Sequence, residues 1–259
     1  MDSARLPGKV LVDIQGRPML EWVVMRTRQA TTVDTVIVAT TQDPSDEAVV
    51  EFCEDRGYLY HRGSTQDVLD RYYQTAREFQ GDVIVRVTGD CPVIDPGVID
   101  QTIDGFWGRA DWRDFTAQGQ TNLPAYDFAA NRLPPPWGRT FPIGLDTEVC
   151  SFTGLEQVWQ QATLPHHREH VMPFFYDQPN KFRITLINHD VDYGRLRWTV
   201  DTPEDLHLLR EIIGYFDGRD DFTWLEVLEA FVQHPEWTQL NATVAAKDYR
   251  AVDQRSERG

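Results

Sequence analysis

Arg5 and Lys9 stand either side of Leu6-Pro7-Gly8 near the start of a 259-residue chain whose next lysine is Lys181. Arginine offers a planar fork of donors and lysine a compact ammonium, while a Pro-Gly step turns the backbone and leaves its amides accessible. The stretch Ser3-Ala4-Arg5-Leu6-Pro7-Gly8-Lys9 therefore reads as a polyphosphate-gripping loop. A solvated arginine and lysine around an ordinary turn fit the same spacing, so the meaning of the loop depends on what the rest of the chain supplies.

Carboxylates supply the next element. Asp90 lies in Thr88-Gly89-Asp90-Cys91-Pro92, just after the apolar run 82–87, and Asp201 follows the run 196–200. Two carboxylates at strand ends, with room left for water and phosphate oxygens, suit magnesium, a hard cation that takes few protein ligands. Asp201-Thr202-Pro203-Glu204 is equally a helix start with an aspartate N-cap. Gly63-Ser64 precedes a helical pattern whose free amides could hold a base or phosphate, or be capped by Ser64 or Thr65. Asp146 and Glu148, two apart, fall on one face of an expected strand. His166 and His170 are four apart, but the order does not match His-Glu-x-x-His and no third ligand is evident for zinc. Arg168 with His170 reads instead as a cationic face. Cys91 reads as a packed side chain.

These residues need a frame. Apolar runs at 35–39, 58–61, 82–87, 145–150, 182–187 and 196–200 predict strands. Helices are expected at 19–29, 45–56, 67–79, 152–162, 165–175, 203–216 and 223–233. The alternation is that of an α/β fold, a mixed, mostly parallel sheet flanked by helices, which binds ligands beyond the carboxyl ends of its strands. The aromatic- and proline-rich stretch from 107 to 144 has no such pattern. Its part 118–144 is expected to be a lid or a dimer contact, within one domain over 1–240 followed by a polar tail, 241–259.

Composition narrows the function. With 41 acidic and 25 basic residues the net charge is −16, which argues against a nucleic-acid surface. An anionic substrate would need cations concentrated locally, giving each arginine in a motif more weight. Three scattered cysteines form neither a disulfide framework nor a zinc ribbon, and no apolar run has the length of a membrane span, so the expected location is the cytoplasm.

Six motifs in order, Ser-x-Arg-Leu-Pro-Gly-Lys, Arg62–Tyr72 (RGSTQDVLDRY), Arg86–Pro92 (RVTGDCP), Gly144–Val149 (GLDTEV), Arg168–Val171 (REHV) and Leu196–Asp205 (LRWTVDTPED), resemble the cytidylyltransferase family. The branch they resemble is that of the spore coat protein SpsF, related to the acylneuraminate and 3-deoxy-manno-octulosonate enzymes. The resemblance implies a Rossmann-like nucleotidyltransferase fold, homodimers, and transfer of CMP from CTP to a sugar, commonly an acidic one. It implies that Ser3, Arg5, Gly8, Lys9, Gly63, Ser64, Arg86 and Gly89 hold the nucleotide, with Arg5 and Lys9 catalytic. Asp90 and Asp201 would bind Mg2+, and Asp146, Glu148, Arg168 and His170 would face the sugar. In this family a buried strand precedes the phosphate loop, so the reading frame is expected to start upstream and Met1 to be an internal methionine. A longer, glycine-rich loop would suit a sugar-1-phosphate nucleotidylyltransferase, and an Asp-x-Asp site a glycosyltransferase. The compact Arg5–Lys9 spacing counts against the first, and Asp90-Cys91-Pro92 is not an Asp-x-Asp site; a non-catalytic remnant is the third alternative.

Overall fold

A computed structural model describes residues 6, 8–109, 124–135, 137–178, 180–245 and 250. Ser3, Arg5, Pro7 and residues 118–123 of the irregular stretch lie outside these. A hairpin of β1 (Asp13–Ile14) and β2 (Arg17–Pro18) leads into α1 (Met19–Thr27), followed by β3 (Ile37–Thr41), α2 (Glu47–Arg56), β4 (Leu59–Gly63), α3 (Val68–Glu78), β5 (Val83–Arg86) and α4 (Pro96–Trp107). The second half comprises β6 (Phe128–Ala130), β7 (Glu148–Ser151), α5 (Phe152–Gln161), α6 (Pro165–His170), α7 (Pro173–Asp177), β8 (Ile184–Leu186), α8 (Pro203–Tyr215), α9 (Trp224–Gln233) and α10 (Trp237–Leu240). β3 and β4 pair in parallel; a separate four-stranded sheet runs β5-β7-β6-β8, with β7 antiparallel to both neighbours and β6 parallel to β8.

Strand alternation sorts the core. Ile84, Phe128, Ala130 and Cys150 point to one face of the four-stranded sheet and pack with α3, α5 and α7. Val83, Val85, Ala129 and Val149, one residue out of phase, point to the other face and meet α4 and Val23 of α1. That is the period-2 pattern of a sheet covered on both faces. Leu20 and Val24 of α1, four apart, turn to β3 and α2, so α1 serves both sheets. Trp22 and Met19 on its remaining side join α8 and α9. Such a helix has no solvent side, and its one central cation, Arg26, is fully buried, donating to the carbonyls of Ile94, Asp220 and Phe222. Burial lowers the Arg26 pKa to about 10, against the opposing pull of Asp95 and its acidic neighbours.

Several sequence expectations change. Run 196–200 is extended but is no strand: Trp198 donates to Ile143 and Val200 to Asp90, so no ladder forms beyond one bridge, Ile143 with Arg197. Helix 165–175 is two helices, α6 and α7, broken at Val171 with φ 71°; Pro173 has no N–H to continue the α6 ladder and instead opens α7. Helix α4 was not expected, although Asp95 caps it, Pro96 opens it and left-handed Gly108 ends it. The described part of 118–144 does not stand off as a lid: it contributes β6, and Leu133 and Phe141 are buried in the core.

Candidate active site

Gly8, at φ 69°, caps a 3-10 turn over Lys9–Leu11, and this turn aims Lys9 across the carboxyl end of β5. Its ammonium lies 2.7 Å from Asp90 Oδ2, 3.0 Å from Asp201 Oδ1 and 2.9 Å from the Val200 carbonyl. Three segments distant in sequence thus converge on one nitrogen. Each carboxylate is held from behind as well: Thr88 Oγ1 donates to Asp90 Oδ1 at 2.6 Å, and Arg197 Nη2 to Asp201 Oδ2 at 2.7 Å. Val200 N and Thr199 Oγ1 both donate to the Asp90 carbonyl, tying the two segments together. A Cβ added at Gly89 would lie 3.7 Å from Val10 and 3.8 Å from Leu20, so the 88–90 loop runs beside the turn and α1.

Burial would raise the Asp90 pKa, but the Lys9 charge and the donors Lys9 and Thr88 outweigh it, and Asp90 is held below the usual carboxylate range. Lys9 is correspondingly raised: burial opposes its charge, and the two aspartates prevail. Asp201 is not the helix cap. Thr202 caps α8 and forms a capping box with Asp205, leaving Asp201 to point into the cluster. Two carboxylates and a carbonyl on one cation-sized point form a hard-oxygen donor set that fits magnesium.

Beyond β5 lies a second charged cluster. Arg86 and Glu148 are directly opposite in the β5–β7 register and form an ion pair at 2.5 Å. Asp146 receives a two-pronged contact from Arg139, at 2.8 and 3.0 Å, and Arg132 stands 3.7 Å away. Burial pushes the Tyr176 hydroxyl upward, and the nearby Glu148 charge adds to it. The sequence reading missed Arg132 and Arg139, whose proline-rich surroundings carry no periodic signal. Arg86 is engaged by Glu148 rather than lying open toward a nucleotide. Asp146 precedes β7 while Glu148 begins it, so they are not two members of one strand.

A cavity of about 740 Å³ opens where β3 and β4 end and α3 begins, lined by Gln42, His61, Arg62, Gly63, Ser64 and Asp70 among others. Gly63 is required there because a Cβ would come within 2.7 Å of the Arg71 stem. Asp67, not Ser64 or Thr65, caps α3; Ser64 instead accepts the Asp67 amide. Arg168 is not an open cationic face: its guanidinium pairs with Asp67 and also donates to the Trp159 carbonyl. His170 ends α6, half-buried. His166 is grouped with His167 and Asp177, not with His170: Asp177 Oδ2 lies 2.8 Å from His166 Nε2 and 3.1 Å from His167 Nε2. These are hydrogen-bond distances, and they tie α6 to α7 across the break at Val171. Cys91 is buried, and burial together with Asp90 pushes its thiol well above the ordinary value, as suits an inert packed group.

Gly144 joins the two clusters. Its φ is 108° and an added Cβ would lie 2.5 Å from the Trp198 carbonyl oxygen. Gly144→Ala is expected to destabilise by about 1–3 kcal/mol from backbone strain alone. Because it pushes the Asp146 loop off the segment carrying Asp201, turnover should fall as well. Melting curves and steady-state rates check this; a variant with wild-type values in both would refute the close approach.

No helix among the described residues is long and apolar enough to cross a membrane. Residues 1–126 match the family profile described as cytidylyltransferase. The chain is 32% identical over 254 residues to an uncharacterised protein of Methanocaldococcus jannaschii, covering 97% of this chain and 95% of that protein. It is 26% identical to the spore coat polysaccharide biosynthesis protein SpsF of Bacillus subtilis, covering 91% and 92%. Similarity to the 3-deoxy-manno-octulosonate cytidylyltransferase of a Psychrobacter species is 35% identity over 42% of this chain and 40% of that one. Among solved structures, a cytidylyltransferase from Leptospira borgpetersenii superposes with a TM-score of 0.80 at 30% identity, covering 94% of each chain. A shared fold over almost the whole length, with the cytidylyltransferase profile over residues 1–126, makes this chain a member of the cytidylyltransferase family, in its SpsF-like branch.

Proposed function

We propose that the protein transfers CMP from CTP to an acidic sugar in surface-polysaccharide synthesis, releasing pyrophosphate. The observation that carries this is the convergence of Lys9, Asp90 and Asp201, beside a cluster in which three arginines meet two carboxylates. A sugar hydroxyl oxygen bonds to the α-phosphorus as the bond from that phosphorus to the pyrophosphate oxygen breaks, and the hydroxyl proton passes to solvent. Catalysis of such a step is largely positioning and charge neutralisation. Magnesium held by Asp90 and Asp201 supplies part of that neutralisation. Lys9, with Arg5, grips the triphosphate, while the cavity beside Gly63 and Ser64 takes the base. Arg132, Arg139, Asp146 and Glu148 face the sugar; Arg86, Arg132 and Arg139 exceed the two carboxylates by one positive charge, which suits an anionic sugar.

A thermal-shift titration against CTP, UTP, ATP, GTP and dTTP, with and without magnesium, tests the reading. Ligand at a hundred times its dissociation constant adds roughly 2.7 kcal/mol, and each kcal/mol moves the midpoint by about 2–4 °C for a domain of this size. The expected result is a magnesium-enhanced shift with CTP alone, followed by pyrophosphate release with acidic but not neutral sugars. A preference for another nucleotide would overturn the assignment.

A further inference from the structure

In the nucleotide-free protein every donor of Lys9 is engaged. An ammonium has three N–H groups, and Lys9 directs them to three oxygens, Asp90 Oδ2, Asp201 Oδ1 and the Val200 carbonyl, at 2.7 to 3.0 Å. Lysine on a surface ion pair leaves donors to water; here the side chain is only 15% exposed. Resting on the reading of Asp90 and Asp201 as the magnesium ligands, we propose that Lys9 is the free protein's own occupant of the divalent-cation position. Metal then enters only with a nucleotide triphosphate, which draws the ammonium away.

Geometry makes the two occupants exclusive. The carboxylate oxygens that face Lys9 are the ones turned inward, since their partners are fixed by Thr88 and Arg197. A magnesium ion needs its oxygens at about 2.0–2.1 Å, so bound to this pair it would occupy the space of the ammonium. Lys9 must therefore leave before the metal binds, or the metal must bind elsewhere.

Charge gives the order. Among the described residues, Lys9 and Arg197 contribute two positive charges to a group whose carboxylates, Asp90, Asp201 and Asp205, contribute three negative ones. This nearly balanced cluster offers a divalent cation little attraction. A nucleotide triphosphate brings about four negative charges within reach of Lys9, whose four-carbon stem lets the ammonium swing without moving the backbone. The same ammonium thus has two stations, the carboxylates in the free protein and the phosphates in the complex, and its departure opens the metal position when there is phosphate for the metal to serve.

The test measures manganese binding by the loss of its free-ion electron paramagnetic resonance signal, so no turnover is needed. Wild-type protein without nucleotide is expected to bind weakly, and Lys9→Met about tenfold or more tightly. Adding Asp90→Asn to Lys9→Met should abolish that gain. Wild-type protein with CTP should remove more free manganese than the same CTP removes alone, and Asp90→Asn with CTP should remove no more than CTP alone. Lys9→Gln, which keeps two neutral N–H donors for the carboxylates, serves the same purpose if Lys9→Met fails to melt cooperatively. Tight binding by nucleotide-free wild-type protein overturns the proposal, as does equal affinity in wild type and both Lys9 variants. If CTP still promotes Asp90-dependent binding in those cases, the metal assignment survives. If no protein binds manganese even with CTP, the metal assignment falls and the proposal with it.

Discussion

Lys9→Met is expected to lower kcat by about 10²–10³, the loss seen when one preorganised donor to a developing charge is removed, and also to lower the melting temperature. A surface lysine would do neither. Asp90 and Asp201 converge on this ammonium, and without it two negative charges face each other in a largely enclosed site. Lys9→Arg should fail to rescue turnover, because a planar, longer guanidinium does not place a compact point charge on the phosphates as the ammonium does. The stability loss has a definite pH dependence. Asp90 is held below its ordinary value despite burial, so its contribution is present above the unfolded carboxylate pKa, about 4. That contribution disappears as pH falls through the lower folded value. Lys9 is raised, so its contribution is present below about 10.5 and disappears as pH rises through its folded value. The gap between wild type and Lys9→Met should therefore be widest from about pH 5 to pH 10 and close in acid. Denaturant unfolding at pH 7 and pH 3 measures it; an equal gap at both would show that Lys9 stabilises by packing, not by charge.

The sequence announced its chemistry more clearly than its connections. Lys9 was legible because lysine is otherwise scarce in the first two-thirds of the chain, and Asp90 because glycine and proline bracket it after an apolar run. The helices that begin at Val68, Pro203 and Trp224 follow from local rules, although the caps Asp67 and Thr202 are not the residues the sequence suggested for that role. Tertiary assignments do not follow in that way. Asp201 was balanced between cap and ligand until Thr202 took the cap, and only the extended chain shared between Ile143 and Asp90 shows why Asp201 faces Lys9. The Arg168 motif looked like a ligand face, but its partner, Asp67, is 101 residues away. Arg132 and Arg139 come from a stretch that periodicity cannot read, and they matter only because β7 returns beside them.

The cross-strand pair of Arg86 and Glu148 carries the largest expected effect on stability. Both are nearly enclosed, with side chains 19% and 7% exposed, and one Arg86 donor, Nε, has no partner among the described residues. Arg86 is raised above its ordinary value, because the Glu148 charge outweighs the opposing effect of burial. Removing one member strands the other charge in the sheet, which costs about 3–5 kcal/mol, whereas replacing both by apolar groups is often close to neutral. Arg86→Leu and Glu148→Leu should each lower the midpoint by roughly 6–20 °C, at about 2–4 °C per kcal/mol. The double variant should melt well above the sum of the two losses, because Tyr72 and Tyr176 already give the pair aromatic neighbours. Turnover separates the roles. If Glu148 faces the sugar, activity stays low in the double variant although stability returns, and KM for the sugar rises more than KM for CTP. If stability and turnover return together, the pair is only a strut of the sheet. Additive losses in the double variant would mean that each side chain has a separate partner and that the register contact between β5 and β7 is not what holds them.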